Sequence, residues 1–283
     1  MRLRRALALG AALLATSSGM LVGTAPAQAA PAPAPVAERA AVTLASTIRL
    51  NNCSAALVRY PTSVNSDRAM MLTNGHCYEG GFINAGQVIQ NRSSSRSGTL
   101  LNSTGGSLGT VRADRVLYAT MTGTDVALYR LTTTYSTIKN RFGATALTLA
   151  DARPAAGTTM TIPSSYWRRI WNCKAETFVD TLREDQWTWR DSIRYDAACD
   201  TIHGTSGSPI VDDASGRVIG INNTGNDNGQ MCTMNNPCEV AADGTTKAYQ
   251  GQSYGQQTYW FTTCLNSSRA IDLTVAGCLL TKP

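Results

Sequence analysis

From about Cys53 to Thr161, short apolar and β-branched runs alternate with clusters of Gly, Asn and Ser. Ala55–Tyr60, Ala69–Thr73, Arg115–Thr120 and Asp125–Leu131 are such runs. The pattern resumes from Lys174 to Phe261, in Glu176–Leu182, Trp187–Tyr195, Pro209–Val211, Arg217–Ile221 and Thr258–Phe261. A strand sends successive side chains to opposite faces, so a half-buried strand alternates apolar and polar residues. Trp187-Thr188-Trp189-Arg190 does so. Gly80–Gly81 and Ser103–Gly106 read as turns. Long amphipathic helices are missing from the pattern, and Ser268–Ala276 is the one stretch with helical character. Pro154–Gly157 falls near the middle and suits a crossover between two halves at about 150–160. Many short strands with frequent turns predict an all-β barrel or sandwich.

Composition narrows the compartment. Hydrophobic residues make up 43% of the 283 residues and charged residues 16%, enough apolar material for a core and too little charge for a disordered chain. The net charge of +6 includes Arg2, Arg4 and Arg5. Without that basic end the chain is close to balanced and has no run of five like charges, so neither a nucleic-acid partner nor a membrane patch is expected. The basic end precedes the apolar stretch Ala6–Ala15 and the small-residue site Ala27-Gln28-Ala29, the three parts of a secretory signal peptide over residues 1–29. Residues 30–45 open with alternating Ala and Pro and read as a short propeptide or extended leader, leaving 46–283 as the folded domain. The expected mature protein is extracellular, free of the membrane and monomeric.

Eight cysteines follow the signal segment: Cys53, Cys77, Cys173, Cys199, Cys232, Cys238, Cys264 and Cys278. An even count in a secreted chain implies four disulfides. Paired C-x-x-C spacings are absent and there are two His, so no metal site is expected. Asn226-Asp227-Asn228-Gly229 reads as a turn, since no full set of calcium ligands accompanies it.

Three segments carry chemistry. In His203-Gly204-Thr205-Ser206-Gly207-Ser208-Pro209, glycines flank a serine on a tight turn. Small neighbours let a carbonyl group approach the backbone, and the turn's N–H groups can converge on a developing oxyanion. In Leu72-Thr73-Asn74-Gly75-His76-Cys77 an apolar strand ends in a turn that presents His76, and Cys77 can staple that turn through Cys53. A serine needs a base to take its proton, and His has a suitable pKa. His203 lies inside the serine turn, a poor place from which to reach the same hydroxyl, which leaves His76. In Thr124-Asp125-Val126-Ala127-Leu128 one carboxylate precedes a strand, and a buried Asp can orient an imidazole.

In order and sequence these segments resemble those of the chymotrypsin-like, trypsin-fold serine proteases. LTNGHC is similar to the family's T-A-A-H-C box, TDVALYRL to its D-I-A-L box and GTSGSPI to G-D-S-G-G-P, at gaps of 49 and 81 residues. The resemblance covers roughly Cys53 to Gly225. It implies two packed six-stranded antiparallel β-barrels, with His76 and Asp125 on the first and Ser206 on the second. It further implies a His76–Asp125–Ser206 triad, an oxyanion hole at the Gly204 and Ser206 amides, no cofactor, and protein or peptide substrates and protein inhibitors as partners. Thr205 stands where animal digestive enzymes carry the Asp that pairs with a newly cut N-terminus, so that activation switch is not expected. The G-x-S-G-S-P pattern is nearest the bacterial glutamyl-endopeptidase branch. By counting, Asp200 falls at the trypsin-like pocket position that binds Arg or Lys, unless it sits on a loop rim. Thr201 matches the glutamyl branch, yet Asn occupies the place of that branch's pocket His in Val218–Gly225. Asn223–Gly225 would line the pocket and pair with the substrate backbone. Cys53–Cys77 is the one bridge expected firmly. Cys173–Cys199, Cys232–Cys238 and Cys264–Cys278 complete the set most simply, with Cys199–Cys232 as rival.

The expected activity is secreted serine endopeptidase action, after Arg or Lys, with glutamyl-type or broad specificity as the alternative. A non-catalytic binding module on the same fold is the alternative of another class. An esterase fits poorly, because the G-x-S-x-G elbow has Ser208 in its fifth place.

Overall fold

A computed structural model describes residues 40–283; the signal segment and most of the expected leader lie outside the described residues. The first half contributes β1 (Thr47–Arg49), β2 (Ser54–Arg59), β3 (Arg68–Thr73), β4 (Val88–Ser93), β5 (Ser97–Leu101), β6 (Ser107–Thr120), β7 (Val126–Thr134), the helix α1 (Tyr135–Phe142) and β8 (Leu147–Thr148). The second contributes β9 (Thr159–Ser164), β10 (Arg169–Glu184), β11 (Trp187–Tyr195), β12 (Pro209–Asp212), β13 (Val218–Gly225), β14 (Cys238–Val240), β15 (Thr246–Lys247) and β16 (Ser253–Gln257).

Strands β1-β5-β6-β7-β3-β2 close on themselves through the β1–β2 pair, an antiparallel six-strand barrel. Strands β11-β16-β13-β12-β9-β10 close through β10–β11 into a second six-strand ring. Closure removes the unpaired edges that an open sheet would expose. The first interior is filled by side chains such as Leu57, Met71, Leu100 and Tyr129, the second by Met160, Ile162, Ile193 and Ile210. Each such side chain, fully buried, contributes roughly 1.5–3 kcal/mol.

A seam joins the rings. Leu72, Val126 and Leu128 of the first pack with Val211, Val218 and Ile221 of the second. The alternating tryptophans of β11 reach the other way: Trp187 Nε1 donates to the Ile83 carbonyl and Trp189 Nε1 to that of Met121, both at 2.8 Å.

Several elements differ from the hydropathy reading. Thr258–Phe261 is not a strand; Tyr259–Cys264 forms a 3₁₀ turn whose Trp260 and Phe261 plug the seam. The last strand is the polar SYGQQ of β16, buried along its whole length. Its Gln256 amide donates to Ser192 at 3.1 Å, so polar side chains fill core positions with partners and leave no apolar signal. Ser268–Ala276 is not a helix. It runs through turns inside the Cys264–Cys278 loop, with a bridge between Leu265 and Ile271. The short helix α1 is instead set by its ends: Thr134 accepts from the Thr137 amide and Gly143 closes it at φ 68°. The cysteines pair as Cys53–Cys77, Cys173–Cys199, Cys232–Cys238 and Cys264–Cys278. No described helix is long and apolar enough to cross a membrane.

Candidate active site

β3 ends at Thr73 and the chain turns through Asn74 and Gly75 to His76, with Cys77 bonded back to Cys53. The β6–β7 connection brings Asp125 beside it. Asp125 is fully buried, and its two oxygens hold one residue: Oδ2 lies 2.7 Å from His76 Nδ1 and Oδ1 accepts from the His76 amide at 2.9 Å. The Asn74 side chain donates 2.9 Å to the Asp125 carbonyl and fixes the backbone as well. Gly75 is required there. A Cβ would stand 2.1 Å from the Thr120 carbonyl oxygen and 2.8 Å from Asp125 Oδ1. The loop before Asp125 is stitched to β11, since Gly123 and Thr188–Arg190 exchange two backbone bonds of 2.9 Å.

Ser206 sits on the long connection between β11 and β12. Its carbonyl accepts from the Ser54 amide of β2 at 2.8 Å, a bond that crosses from one ring to the other. Gly207, at φ 81°, presses so close that a Cβ would lie 2.0 Å from the Ser54 carbonyl oxygen. Its amide donates 3.0 Å to Asn222 of β13. Trp167 Nε1 donates 2.7 Å to the His203 carbonyl and supports the turn from outside. Thr205, Gly207 and Ser208 all spend their amides on backbone carbonyls, whereas those of Gly204 and Ser206 donate to no group among the described residues. Thr205 is buried and makes no ion pair.

The Ser206 hydroxyl donates 3.2 Å to the Asn223 carbonyl; no hydrogen bond joins it to His76 among the described residues. Asn223 falls at a register shift where β13 pairs with β16, a bulge that frees its carbonyl for this contact. His76, Asp125 and Ser206 nevertheless line one cavity of about 500 Å³, with Gly204, Asp200, Thr201, Asn223 and Gly225. Asp200 is exposed, and its carbonyl accepts from Trp171 Nε1 at 2.7 Å. Thr201 donates to Ser253 at 3.0 Å. The second histidine, His203, pairs with Asp227 at 2.8 Å on the exposed rim.

Burial pushes the His76 imidazole down, but the charge and hydrogen bond of Asp125, with the charge of Glu184, outweigh it and leave its pKa above the ordinary value. Glu184 is a residue the sequence reading missed. It closes β10 and is buried at 5% exposure against the cavity. Burial raises its pKa, opposed by hydrogen bonds from Thr224 and Asn235. One carboxylate at a hairpin tip gives no linear signal; the Cys232–Cys238 loop that covers it is brought there by folding. The cluster of Cys53, His76 and Cys77 offers no metal site, because both sulfurs are in a disulfide.

Two six-strand rings with a buried Asp–His pair and a serine on their shared cleft define the class of two-barrel serine proteases. The family with a trypsin-like peptidase domain matches residues 61–221, more than half of the chain, and the chain belongs to that family. No curated protein matches the sequence significantly. Among solved structures, the MamO protease domain of Magnetospirillum magneticum is 14% identical with a TM-score of 0.47, covering 80% of this chain and 98% of its own. The active form of the Rv3671c protease of M. tuberculosis is 13% identical with a TM-score of 0.47, at 85% and 84% coverage. The Nocardiopsis protease NAPase is 14% identical with a TM-score of 0.44, at 75% and 90% coverage.

Proposed function

We propose that the chain is a secreted serine endopeptidase working through His76, Asp125 and Ser206 by acyl transfer to water. One observation carries this reading: Asp125 grips His76 by ring and backbone while Ser206, with two unused amides at Gly204 and Ser206, opens onto the same cavity. Asp125 holds the Nδ1–H tautomer and leaves Nε2 for the cleft. Rotation of the Ser206 side chain carries its hydroxyl from Asn223 to that nitrogen. His76 takes the proton as Oγ bonds to the scissile carbonyl carbon, and the oxyanion forms against the Gly204 and Ser206 amides. His76 then gives the proton to the leaving amine, and a water repeats the sequence to release the acid. The four disulfides fit an oxidising exterior.

For the residue before the cut bond we infer Arg or Lys. Among the described residues no Lys or Arg lines the cavity, and Asp200 does. Because Asp200 is exposed, water screens it and the preference is modest. Asn222 stands where the glutamyl branch has its His, and its side chain is occupied by the Tyr195 hydroxyl at 3.0 Å. A glutamate would find no cation there.

A fluorophosphonate probe tests the mechanism. The folded protein should be labelled and Ser206→Ala should not. Absence of labelling, or labelling that survives the substitution, overturns the reading. A peptide library tests the preference: cuts after Glu in place of Arg and Lys would remove the role given to Asp200.

A further inference from the structure

The cleft of this net basic chain is acidic. Asp125, Glu184, Asp200 and Asp227 line it, and among the described residues no Lys or Arg does. Asp125 is matched by His76 and Asp227 by His203. Among the described residues Glu184 has no Lys or Arg paired with it and feels only the positive charge of His76, although it is far more buried than Asp200. A carboxylate withdrawn from water without a paired cation costs stability, and one that faces a cleft is a candidate binding group for a cationic ligand.

Its surroundings say which ligand. Glu184 Oε2 accepts from the Thr224 hydroxyl at 2.6 Å and Oε1 from the Asn235 amide at 2.9 Å, so the carboxylate is held in one orientation. Asp185, at the tip of the same hairpin, donates its amide to Cys232, which ties the tip to the Cys232–Cys238 loop. Apolar surface leads toward the group. Phe82 is 54% exposed and stands edge-on to both His76 and Trp187, with ring centroids 6.1 and 5.6 Å away. Met234 lies on the same cavity wall. A long aliphatic stem ending in a positive charge matches this arrangement, stem along Phe82 and Met234 and head at Glu184.

We propose that Glu184 is a specificity-determining residue for substrates carrying a Lys or Arg side chain N-terminal to the scissile bond, beyond the residue that faces Asp200. The side follows from Thr224, which holds Glu184 and belongs to the Asn223–Gly225 segment expected to pair with the substrate's acyl portion. The inference rests on the endopeptidase reading and narrows its substrates to segments with two basic residues.

Peptides with Arg before the cut bond, carrying Lys, acetyl-lysine or Met at each of the preceding three positions, provide the test. At one position Lys should exceed both neutral residues at least ~tenfold in kcat/KM, and Glu184→Gln should bring that ratio close to one. Rates taken on the plateau above the acid limb, where the His76 imidazole is neutral in every complex, keep an effect of the substitution on the His76 pKa out of the ratio. Glu184→Asp serves where the glutamine variant does not fold, and should lower the ratio part way. An absent Lys preference in the wild-type protein, or one that persists in the variants, overturns the proposal. Failure of the endopeptidase reading is distinguished by the same peptides bound to Ser206→Ala protein in fluorescence anisotropy. There the Lys peptide should bind tighter only while Glu184 is present, whether or not the protein cleaves, and equal binding overturns the proposal too.

Discussion

The two halves of the site are built differently. His76 and Asp125 lie a few residues from strand ends of one closed barrel and hold each other directly, with every connecting bond inside that barrel or its immediate loops. Ser206 rides on a loop of the second ring, fixed within that ring by Asn222 of β13 and by Trp167 through His203, and across the seam by Ser54 of the first barrel. Its hydroxyl is still turned to Asn223. The bonds between His76 and Asp125 therefore stay inside one barrel, although the Gly123 loop before Asp125 is tied to β11, while the serine turn takes one direct backbone bond, from Ser54, across the seam. Disturbing the seam should cost the serine its position before it costs the Asp–His pair anything.

The largest effect that can separate the halves is one methyl group placed in each. Gly207→Ala drives a Cβ to 2.0 Å from the Ser54 carbonyl oxygen, at a φ of 81° that disfavours any side chain. Gly75→Ala puts one 2.1 Å from the Thr120 carbonyl oxygen. Both should destabilise the protein by about 2–4 kcal/mol and lower peptide hydrolysis at least ~hundredfold. They should differ in what survives. The Gly207 variant should keep the low-field imidazole N–H resonance of a His76–Asp125 bond, and the Gly75 variant should lose it. Loss in both would show that the pair also depends on the seam.

That division also explains what could be read in advance. The His, Asp and Ser segments each announce themselves because a strand, a tight turn and one reactive side chain are contiguous; LTNGHC and GTSGSP need only a few residues to be recognisable. Many strands are legible for the same local reason, being apolar runs between turns, which predict a barrel or sandwich; their closure into two six-strand barrels is implied only by the family resemblance. What stays hidden is assembled at a distance. Glu184 becomes a buried cleft residue only when the Cys232–Cys238 loop folds over it. Trp167 looks like an exposed aromatic until its indole meets the His203 carbonyl. β16 hides because its core is built of glutamines with hydrogen-bond partners.

Trp167 offers a milder probe of the serine half. Thr205 cannot form an ion pair to brace the oxyanion turn, and the Trp167 indole supplies a brace from outside. Trp167→Phe keeps an aromatic ring and deletes one hydrogen bond, worth roughly 1 kcal/mol. The expected result is a kcat about fivefold to tenfold lower at nearly unchanged KM, with the rate of fluorophosphonate labelling falling in parallel. A change confined to KM would mean that Trp167 contacts substrate and does not brace the turn.

The gentlest test concerns the first half and its coupling to Glu184. The folded pKa of His76 lies above its ordinary value near 6.5, because Asp125 and Glu184 together outweigh the opposing effect of burial. The proposed mechanism needs the neutral imidazole, so kcat/KM should rise with pH and reach half its plateau above that ordinary value. Stability runs the other way. A raised pKa means that the native state holds the proton more tightly than the unfolded chain does. The contribution of His76 to stability is therefore complete below the unfolded pKa and is lost as pH climbs through the folded one. Glu184→Gln removes one of the two charges that favour the imidazolium and should move the acid limb of kcat/KM toward lower pH, measured with a substrate neutral at the acyl-side positions. Asp227 also lines the cavity but is paired with His203 on the rim, so Asp227→Asn should move that limb less than Glu184→Gln does. An unmoved limb in Glu184→Gln would assign the whole shift to Asp125 and make the Asp–His pair electrostatically self-contained, as it already is in its hydrogen bonds.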